Sequence, residues 1–495
     1  MSSPDSSTPS LRDRVLNSAM WLIATRWVHR ALGLVSTMIL ARLLMPEDFG
    51  LVAAVTATVA IIDGFFDFGF DLALIQKKDA GRAEFDAAWT LKVCKGALFG
   101  LTIALLGPLV AHYAGAEEIV AISLVVGFAL LLRGAENVGT VRFQKELQFD
   151  KLFRIKLYPR LLAITTTIVA ALWLRSYWAI VIGTLAQNAY QTLFSYLMCD
   201  YRPRLRLRGI GELWGFSRWI LLSSICRQAF RATDRFLLSG WIGKRELGFF
   251  SVSGDLSSMI TNELVGAVGT ALVPGYAKLQ DDQARLRAAF LMSQSAYLAL
   301  LIPASIGILL LAPQLTAVIL GAQWTEASHL LGLFALFYMF YTVAENLNRF
   351  MAMTGLQEVA GRAGLLRTIA FLILIYPAFQ WGGIPGLIAM KISLSAIETL
   401  YMAARCCQRI DAPLGDYLGL YLRPGVATAA MAAALALLEP LLAGHVLLGL
   451  LVGALAGAAV YGMASLLMWR FSGRPKGLET VFFELLARRG LKFRF

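Results

Sequence analysis

The run ILARLLMPEDFG at residues 39–50 resembles a later run, LLSGWIGKRELG, at residues 237–248. Each run consists of an apolar stretch, a break and a short polar segment that ends in glycine. The fixed offset between the two runs also relates Trp21 to Trp219. This pairing predicts a chain built from two repeated halves, as in transporters that arose by duplication.

Two further matches follow in the same order along the chain. The run LLGPLVAHYAG at residues 105–115 resembles LLAPQLTAVILG at residues 310–321. The tripeptide Ala-Glu-Asn occurs at residues 135–137 and again at residues 344–346. Each match is weak alone, but their shared order supports the duplication.

Composition identifies lipid as the solvent for most of the chain. Of the 495 residues, 58% are hydrophobic and 16% are charged, and the mean hydropathy is +0.65. A soluble protein carries about 25% charged residues. A helix needs about 20 mainly apolar residues to cross a bilayer. We predict an all-α integral membrane protein with about 14 such helices, including splits at Arg175 and at Gly382-Gly383. The predicted spans lie near residues 16–40, 49–75, 87–113, 118–140, 157–174, 176–199, 215–241, 246–275, 288–313, 327–353, 361–381, 383–405, 423–443 and 445–469.

Loop charges orient these spans, because cytoplasmic loops of membrane proteins are rich in Lys and Arg. With the N-terminus inside, the inner segments hold about 28 basic residues and the outer loops about 4. We therefore expect a multi-pass protein of the bacterial inner membrane with both termini in the cytoplasm. Nucleic acid is not an expected partner, because the basic residues are spread over many short loops.

The spans group into two six-helix lobes, each with an even number of crossings, followed by an extra helix pair. Lobes of this kind keep the same orientation and form a parallel repeat. The C-terminal tail carries an apolar helical face flanked by basic residues, which is typical of an interfacial helix. The predicted segments are a disordered N-terminal tail (1–14), an N-lobe (15–200), a basic linker (201–213), a C-lobe (214–410), the extra pair (411–470) and a basic amphipathic tail (471–495).

Basic residues at membrane depth are the main functional signal, because each costs about 2.5–3.5 kcal/mol to insert. They are Arg26, His29 and Arg30 in the first span, and Arg218, Arg227, Arg231 and Arg235 in the seventh, where Asp234 is the acidic residue. Charged side chains at membrane depth line a water-filled cavity or pair with one another. A net positive cavity attracts anions, and guanidinium groups bind phosphate bidentately. A diphosphate headgroup is a natural ligand. His29 is either a packing residue or a proton carrier.

Acidic residues at the same depth are candidates for ion coupling or for structural pairing. They are Asp63, Asp67, Asp234, Asp255, Glu263 and Glu345. We expect Asp63 or Asp67 to pair with Arg26 or Arg30. Helical i, i+3 spacing also predicts local pairs of Glu136 with Arg133 and of Asp234 with Arg231. The five cysteines show neither a disulfide framework nor a zinc spacing, so no metal is expected.

Three stretches carry a resemblance to a known family. They are LNSAMWLIATRWVHRALGLVSTMILARLLMPEDFG (16–50), DFGFDLALIQKKD (67–79) and ATDRFLLSGWIGKRELGFFSVSGDL (232–256). They resemble the polysaccharide-transporter branch of the multidrug/oligosaccharidyl-lipid/polysaccharide exporter superfamily. This branch contains the Wzx-type flippases of O-antigen, colanic acid and exopolysaccharide synthesis.

The resemblance implies a MATE-like, V-shaped fold and a flippase that moves undecaprenyl-diphosphate-linked oligosaccharides from the cytoplasmic to the periplasmic leaflet. It also implies alternating access without a cofactor, coupled to H⁺ or Na⁺. The family's diphosphate-binding role is carried over to Arg26, Arg30, Arg227 and Arg231. Expected partners are the lipid-linked oligosaccharide, membrane lipids, a polysaccharide polymerase and a chain-length regulator.

Alternatives remain open beside the flippase. A cation-coupled multidrug exporter of the same superfamily predicts an acidic cavity, and the basic first and seventh spans argue against it. Sequence alone distinguishes a peptidoglycan lipid-precursor flippase poorly from an oligosaccharide flippase. A membrane enzyme, such as a polymerase or a ligase, would need a catalytic group on a sizeable outer loop. The outer loops are short and carry no nucleophile–base cluster, so we expect the chain not to be an enzyme.

Overall fold

A computed structural model describes residues 11–66, 81–146, 148–206, 225, 228–279, 282–442 and 445–472. Over these ranges the chain consists of helices and short connections, with no strand. The helices are α1 (Leu11–Leu43), α2 (Pro46–Phe66), α3 (Arg82–Ala114), α4 (Glu118–Gly134), α5 (Val141–Lys145), α6 (Phe149–Leu174), α7 (Trp178–Leu197), α8 (Lys244–Lys278), α9 (Gln283–Leu310), α10 (Ala312–Ile319), α11 (Ser328–Met353), α12 (Gln357–Arg409), α13 (Leu414–Gly419), α14 (Leu422–Leu442) and α15 (Val446–Phe471). Residues 228–241 are also helical.

The all-α membrane fold is confirmed. Eight stretches of the described residues are long and apolar enough to cross a bilayer. They are α2, α3, α6, α9, residues 322–353, α12, residues 414–440 and α15. Since some predicted spans reach beyond the described ranges, the number of 14 stays a prediction.

Backbone geometry confirms both predicted splits. Arg175 ends α6 in the left-handed conformation, with φ 45°, and α7 begins three residues later at Trp178. Helix α12 runs for 53 residues but is interrupted at Gly383, where φ is 57° and ψ is −145°. Glycine adopts this conformation without the steric cost of a β-carbon. Helix α12 is therefore two spans, a first arm before Gly383 and a second arm after it. At the other end of the chain, α1 begins at Leu11, so residues 11–14 of the predicted disordered tail are helical.

Small residues allow α3 and α4 to pack in close contact. A β-carbon at Gly96 would lie 2.6 Å from the Cα of Gly134, and one at Gly100 would lie 2.3 Å from the carbonyl oxygen of Gly127. Helices in lipid gain stability from such close packing, because lipid tails solvate apolar side chains as well as another helix does. The α3–α4 pair is thus a rigid part of the fold.

Contacts divide the chain into two compact units, Met1–Gly248 and Phe249–Phe495. The predicted lobe boundaries stay a prediction.

In the second unit, aromatic rings form a buried core in which Phe350 contacts Tyr276 and Phe290, with ring centroids 5.0 and 4.5 Å apart. The hairpin α14–α15 packs on α9 through Gly453, whose β-carbon position is 3.0 Å from Leu311.

Positions that are equivalent in the sequence repeat contact each other within the first unit. A β-carbon at Gly50 would lie 1.8 Å from the carbonyl oxygen of Lys244. A β-carbon at Gly248 would lie 2.0 Å from the carbonyl oxygen of Pro46. The offset that relates Gly50 to Gly248 also relates Pro46 to Lys244. The contact is therefore locally two-fold symmetric, as expected where the corresponding segments of two parallel repeats meet. We call it the glycine contact.

Candidate functional site

Three of the four predicted phosphate-binding arginines lie in the described part of the first unit. Arg26 and Arg30 are on α1, where Arg26 is exposed and Arg30 is half-buried. Arg231 is exposed on the helical residues 228–241. Arg227 lies outside the described residues. The structure thus places Arg26, Arg30 and Arg231 in one compact unit, and the phosphate-binding role of all four arginines stays a prediction.

A cluster of three basic side chains, which sequence reasoning missed, lies between α1 and α6. We call it the α1–α6 basic cluster. His29 of α1 hydrogen-bonds the backbone of Lys156 and interacts electrostatically with both Lys156 and Arg160 of α6. Arg160 donates from Nη1 to Oε1 of Gln187 at 3.4 Å. Its Nη2 lies 3.6 Å from the position that a β-carbon would take at Gly33.

Two nitrogens of this cluster are buried without a hydrogen-bond partner in the described structure, Nε2 of His29 and Nε of Arg160. An unpaired buried polar group costs about 1–3 kcal/mol. The helical spacing of Lys156 and Arg160 puts both side chains on one face of α6. The cluster can therefore bind an anion without first breaking an ion pair.

Polar contacts continue from the cluster across the first unit. Gln191, one helical turn after Gln187 on α7, donates to Oε1 of Glu136 at 3.1 Å. Oε2 of Glu136 accepts from Nζ of Lys92 on α3 at 3.0 Å. Polar side chains from five segments, α1, α3, the end of α4, α6 and α7, thus lie within an apolar helix bundle.

The predicted local pair of Glu136 with Arg133 is wrong. Helix α4 ends at Gly134, so Glu136 no longer follows the helical spacing. The chain turns there, and Asn137 caps a short 3-10 helix by accepting a hydrogen bond from the Gly139 backbone at 2.8 Å. This turn directs Glu136 toward Lys92 instead.

The predicted pair of Asp234 with Arg231 is wrong, whereas a pair of Asp67 with Arg26 or Arg30 stays a prediction because Asp67 lies outside the described residues. Asp63 lies 3.7 Å from Nζ of Lys95, because α2 packs on α3. Asp234 is buried at 2% exposure and accepts a hydrogen bond from the backbone nitrogen of Arg235 at 2.8 Å. Arg231 is exposed and forms no ion pair with Asp234, although both are described.

The linker after α7 is bound to the start of α3. Tyr201 donates from its hydroxyl to Asp86, and the backbone nitrogen of Arg204 donates to Oδ1 of the same carboxylate at 3.1 Å. Burial, and then the hydrogen bond to Asp86, raise the pKa of Tyr201. The phenol therefore remains a hydrogen-bond donor at neutral pH. Asn137 donates to the carbonyl oxygen of Tyr201 at 2.7 Å, which fixes the linker from a second side.

The second unit holds a separate charged cluster between α11 and the two arms of α12. Arg367 donates to Oε2 of Glu398 at 2.6 Å, and the exposed fractions of the two side chains are 11% and 4%. Glu345 lies close enough to Glu398 for the two carboxylates to repel each other. Nζ of Lys391 lies 4.7 Å from the ring centroid of Phe337, within cation–π range.

The other predicted acidic residues are distributed differently. Glu345 is half-buried and belongs to this charged cluster, whereas Asp255 is exposed on α8. Asp67 and the side chain of Glu263 lie outside the described residues. The ion-coupling role of all these residues stays a prediction.

Comparison with known proteins places the chain in a family. A family model described as "Polysaccharide biosynthesis protein" matches residues 39–329, more than half of the chain. The lipopolysaccharide biosynthesis protein WzxC of Escherichia coli (strain K12) is 23% identical over 395 residues, which cover 79% of this chain and 80% of that protein. The succinoglycan biosynthesis transport protein ExoT of Rhizobium meliloti (strain 1021) is 22% identical and covers 94% of this chain and 95% of its own length.

Solved structures show the same fold. The lipid II flippase MurJ, in an inward closed conformation, has a TM-score of 0.73 at 14% identity, covering 92% of this chain and 100% of that chain. A multidrug resistance MATE family transporter of the MOP superfamily, in an inward-facing conformation, has a TM-score of 0.59 at 14% identity, covering 77% and 95%. The chain belongs to the polysaccharide biosynthesis protein family and has the fold of these multi-pass membrane transporters. ExoT is named as a transport protein and MurJ as a flippase, in line with the expectation of a transporter.

Proposed function

We propose that this protein moves oligosaccharide units linked to a lipid diphosphate from the cytoplasmic to the periplasmic leaflet of the bacterial inner membrane, for the synthesis of a polysaccharide such as O-antigen, exopolysaccharide or capsule. Family membership supports the polysaccharide pathway, and the fold supports transport across a bilayer. The observation that carries the proposal is the excess of basic side chains inside the first unit. A diphosphate is the part of the carrier that such side chains recognise.

The proposed headgroup site consists of Arg26, Arg30, Arg227 and Arg231. Guanidinium groups keep their charge at membrane depth and offer two parallel N–H donors to a phosphate. Binding followed by alternating access would carry the headgroup through the apolar layer while the lipid tail stays in the bilayer. No bond of the carrier is broken, so the reaction needs no catalytic group.

A multidrug exporter of the same superfamily is the second candidate, because the MATE transporter shares the fold. The charges favour the first candidate, since the α1–α6 basic cluster repels cationic drugs. A lipid II flippase carries the same diphosphate and differs in its sugars. The family match to polysaccharide biosynthesis favours the oligosaccharide carrier.

Energy coupling is proposed to involve H⁺ or Na⁺, without an organic cofactor. Glu345 and Glu398 form the carboxylate pair in the second unit that is suited to a proton. Arg367 and Lys391, which lie in the same cluster, disfavour Na⁺ by charge repulsion. A polysaccharide polymerase and a chain-length regulator are the expected partners, because the transported unit must be joined into polymer on the periplasmic side.

Replacing the four arginines by Ala, singly and together, tests the headgroup site. We expect polymer export to fall at least tenfold in a deletion strain that carries the variants, with normal protein levels in the membrane fraction. Arg285, a cation on α9 whose side chain is 77% exposed, provides the matched control, and Arg285→Ala should export normally. Normal export by all single and combined variants would show that these arginines do not bind the carrier.

A further inference from the structure

We propose that His29, Lys156 and Arg160 form a second phosphate-binding site, which takes a phosphate group of a membrane lipid between α1 and α6. The inference deepens the proposed function and rests on it for the identity of the transported lipid. The ligand chemistry is a phosphate ester or diphosphate on a lipid. Two sources share this chemistry, the oligosaccharide carrier and the resident anionic phospholipids.

The two helices present matching faces to the proposed site. On α1, His29 is one helical turn before Gly33, and on α6, Lys156 is one turn before Arg160. Nη2 of Arg160 lies 3.6 Å from the position that a β-carbon would take at Gly33, so the guanidinium lies against α1 at van der Waals distance. A ring contact between Trp21 and Phe153, with centroids 5.0 Å apart, holds the same two helices together.

Two cations elsewhere in the first unit show the pairing that the basic cluster lacks. Lys92 pairs with Glu136 at 3.0 Å, and Lys244 pairs with Glu118 at 2.9 Å. No carboxylate pairs with Lys156 or Arg160 among the residues that the structure describes. The polar neighbour of Arg160 is the amide of Gln187, which is neutral. Lys156 is exposed, but the Arg160 guanidinium is half-buried, and a half-buried charge without an acid is costly unless an anion joins it.

Unpartnered nitrogens point to the same ligand. Nε of Arg160 and Nε2 of His29 are buried and have no hydrogen-bond partner in the described structure. A phosphate oxygen accepts from the Nε–H of Arg160 and neutralises the Lys156 ammonium. Nε2 of His29 donates to the same phosphate once the imidazole is protonated, because the other ring nitrogen already donates to the Lys156 backbone. One ligand thus satisfies the hydrogen bonding and the charge of the whole cluster.

The position along α6 suits a lipid headgroup. At about 1.5 Å per residue, Lys156 and Arg160 lie about 10 Å and about 17 Å from Phe149, where α6 begins. On the proposed orientation this end of α6 faces the cytoplasm. The site would therefore contact the headgroup of a lipid in the cytoplasmic leaflet, the side from which the carrier is loaded.

Binding measurements on the purified full chain test the site. The probes are farnesyl diphosphate, farnesol as the phosphate-free control, and nanodiscs with or without phosphatidylglycerol. We expect farnesyl diphosphate, but not farnesol, to raise the melting temperature. Arg160→Gln should weaken its binding at least tenfold, and Arg160→Lys should retain part of the affinity. Arg154→Ala, which removes an exposed charge from the same helix, should bind like the wild type.

The two lipid sources give different results. If the carrier is the ligand, Arg160→Gln reduces binding of farnesyl diphosphate and phosphatidylglycerol does not compete. If a resident phospholipid is the ligand, phosphatidylglycerol stabilises the wild type, competes with the diphosphate, and loses its effect in Arg160→Gln. Unchanged binding of both probes by Arg160→Gln and by Lys156→Gln, with both variants folded, would overturn the site. The proposed function is tested separately, by polymer export in strains that carry the variants of Arg26, Arg30, Arg227 and Arg231.

Discussion

Alanine substitutions at the glycine contact should destabilise the protein, and the distances across the contact set the expected loss of stability. Alanine at Gly50 would place its β-carbon 1.8 Å from the carbonyl oxygen of Lys244, and alanine at Gly248 would place it 2.0 Å from that of Pro46. Real β-carbons essentially never approach another heavy atom closer than 3.0 Å. The two backbones must therefore separate by about 1.2 Å for Gly50→Ala and about 1.0 Å for Gly248→Ala.

The energetic cost combines two opposing terms. Overpacking a tight interface costs about 1–3 kcal/mol. Replacing a helical glycine by alanine returns up to about 1 kcal/mol. With the full return subtracted, each single substitution should destabilise the protein by up to about 2 kcal/mol. Because both substitutions act on one contact, the separation forced by the first also relieves the second, so the double variant should lose less than the sum.

Thermal melting in one fixed detergent measures these effects. The matched control is Gly361→Ala on α12, where a β-carbon meets nothing within 4 Å and only the helix-propensity gain remains. We expect lower melting temperatures for Gly50→Ala and Gly248→Ala, and an unchanged or higher one for the control. Wild-type stability of both single variants, or fully additive losses, would refute the symmetric contact.

Two further substitutions test the packing of charged and polar groups. Glu398→Ala removes the carboxylate that lies 2.6 Å from the buried Arg367 guanidinium and should destabilise the protein by about 3–5 kcal/mol. Replacing both residues by Leu should recover much of the loss. Melting curves of the single and double variants decide this, and an unstable double variant would contradict it. Asn137→Ala, at a residue that is 0% exposed, removes the 2.7 Å hydrogen bond to the carbonyl oxygen of Tyr201, which keeps only the 3.2 Å bond from Arg202, and it removes the acceptor of the Gly139 nitrogen; the expected cost is about 1–3 kcal/mol. The linker should then detach, so trypsin should cut after Arg204 faster than in the wild type, and an equal cleavage rate would rule out this role for Asn137.

Much of the fold could be predicted from hydropathy and from local breaks. Arg175 and the Gly382-Gly383 pair interrupt apolar runs, and the structure ends α6 at the first and kinks α12 at the second. The repeat equivalence of Gly50 and Gly248 is also visible in the sequence. Their mutual contact is not, because it depends on how closely two distant segments pack.

The candidate site was harder to predict, because pairing depends on which helices are neighbours. Helical i, i+3 spacing predicted an ion pair between Glu136 and Arg133. That prediction is wrong because α4 ends at Gly134, before Glu136. The Lys156–Arg160 pair carried only a weak signal, because its two cations at i, i+4 follow Lys151 and Arg154 in a generally basic segment. Their convergence with His29, however, follows only from the packing of α6 on α1.

Transfer of the carrier between leaflets is the decisive measurement. The purified protein would be placed in liposomes that contain oligosaccharide linked to undecaprenyl diphosphate, and an external glycosidase would count the sugars that reach the outer surface. We predict rapid exposure with the wild type, slow exposure when both Arg26 and Arg30 are Ala, and no exposure of a carrier whose sugar is attached without phosphate. Equal transfer of the carriers with and without the diphosphate would contradict recognition of the headgroup by basic side chains.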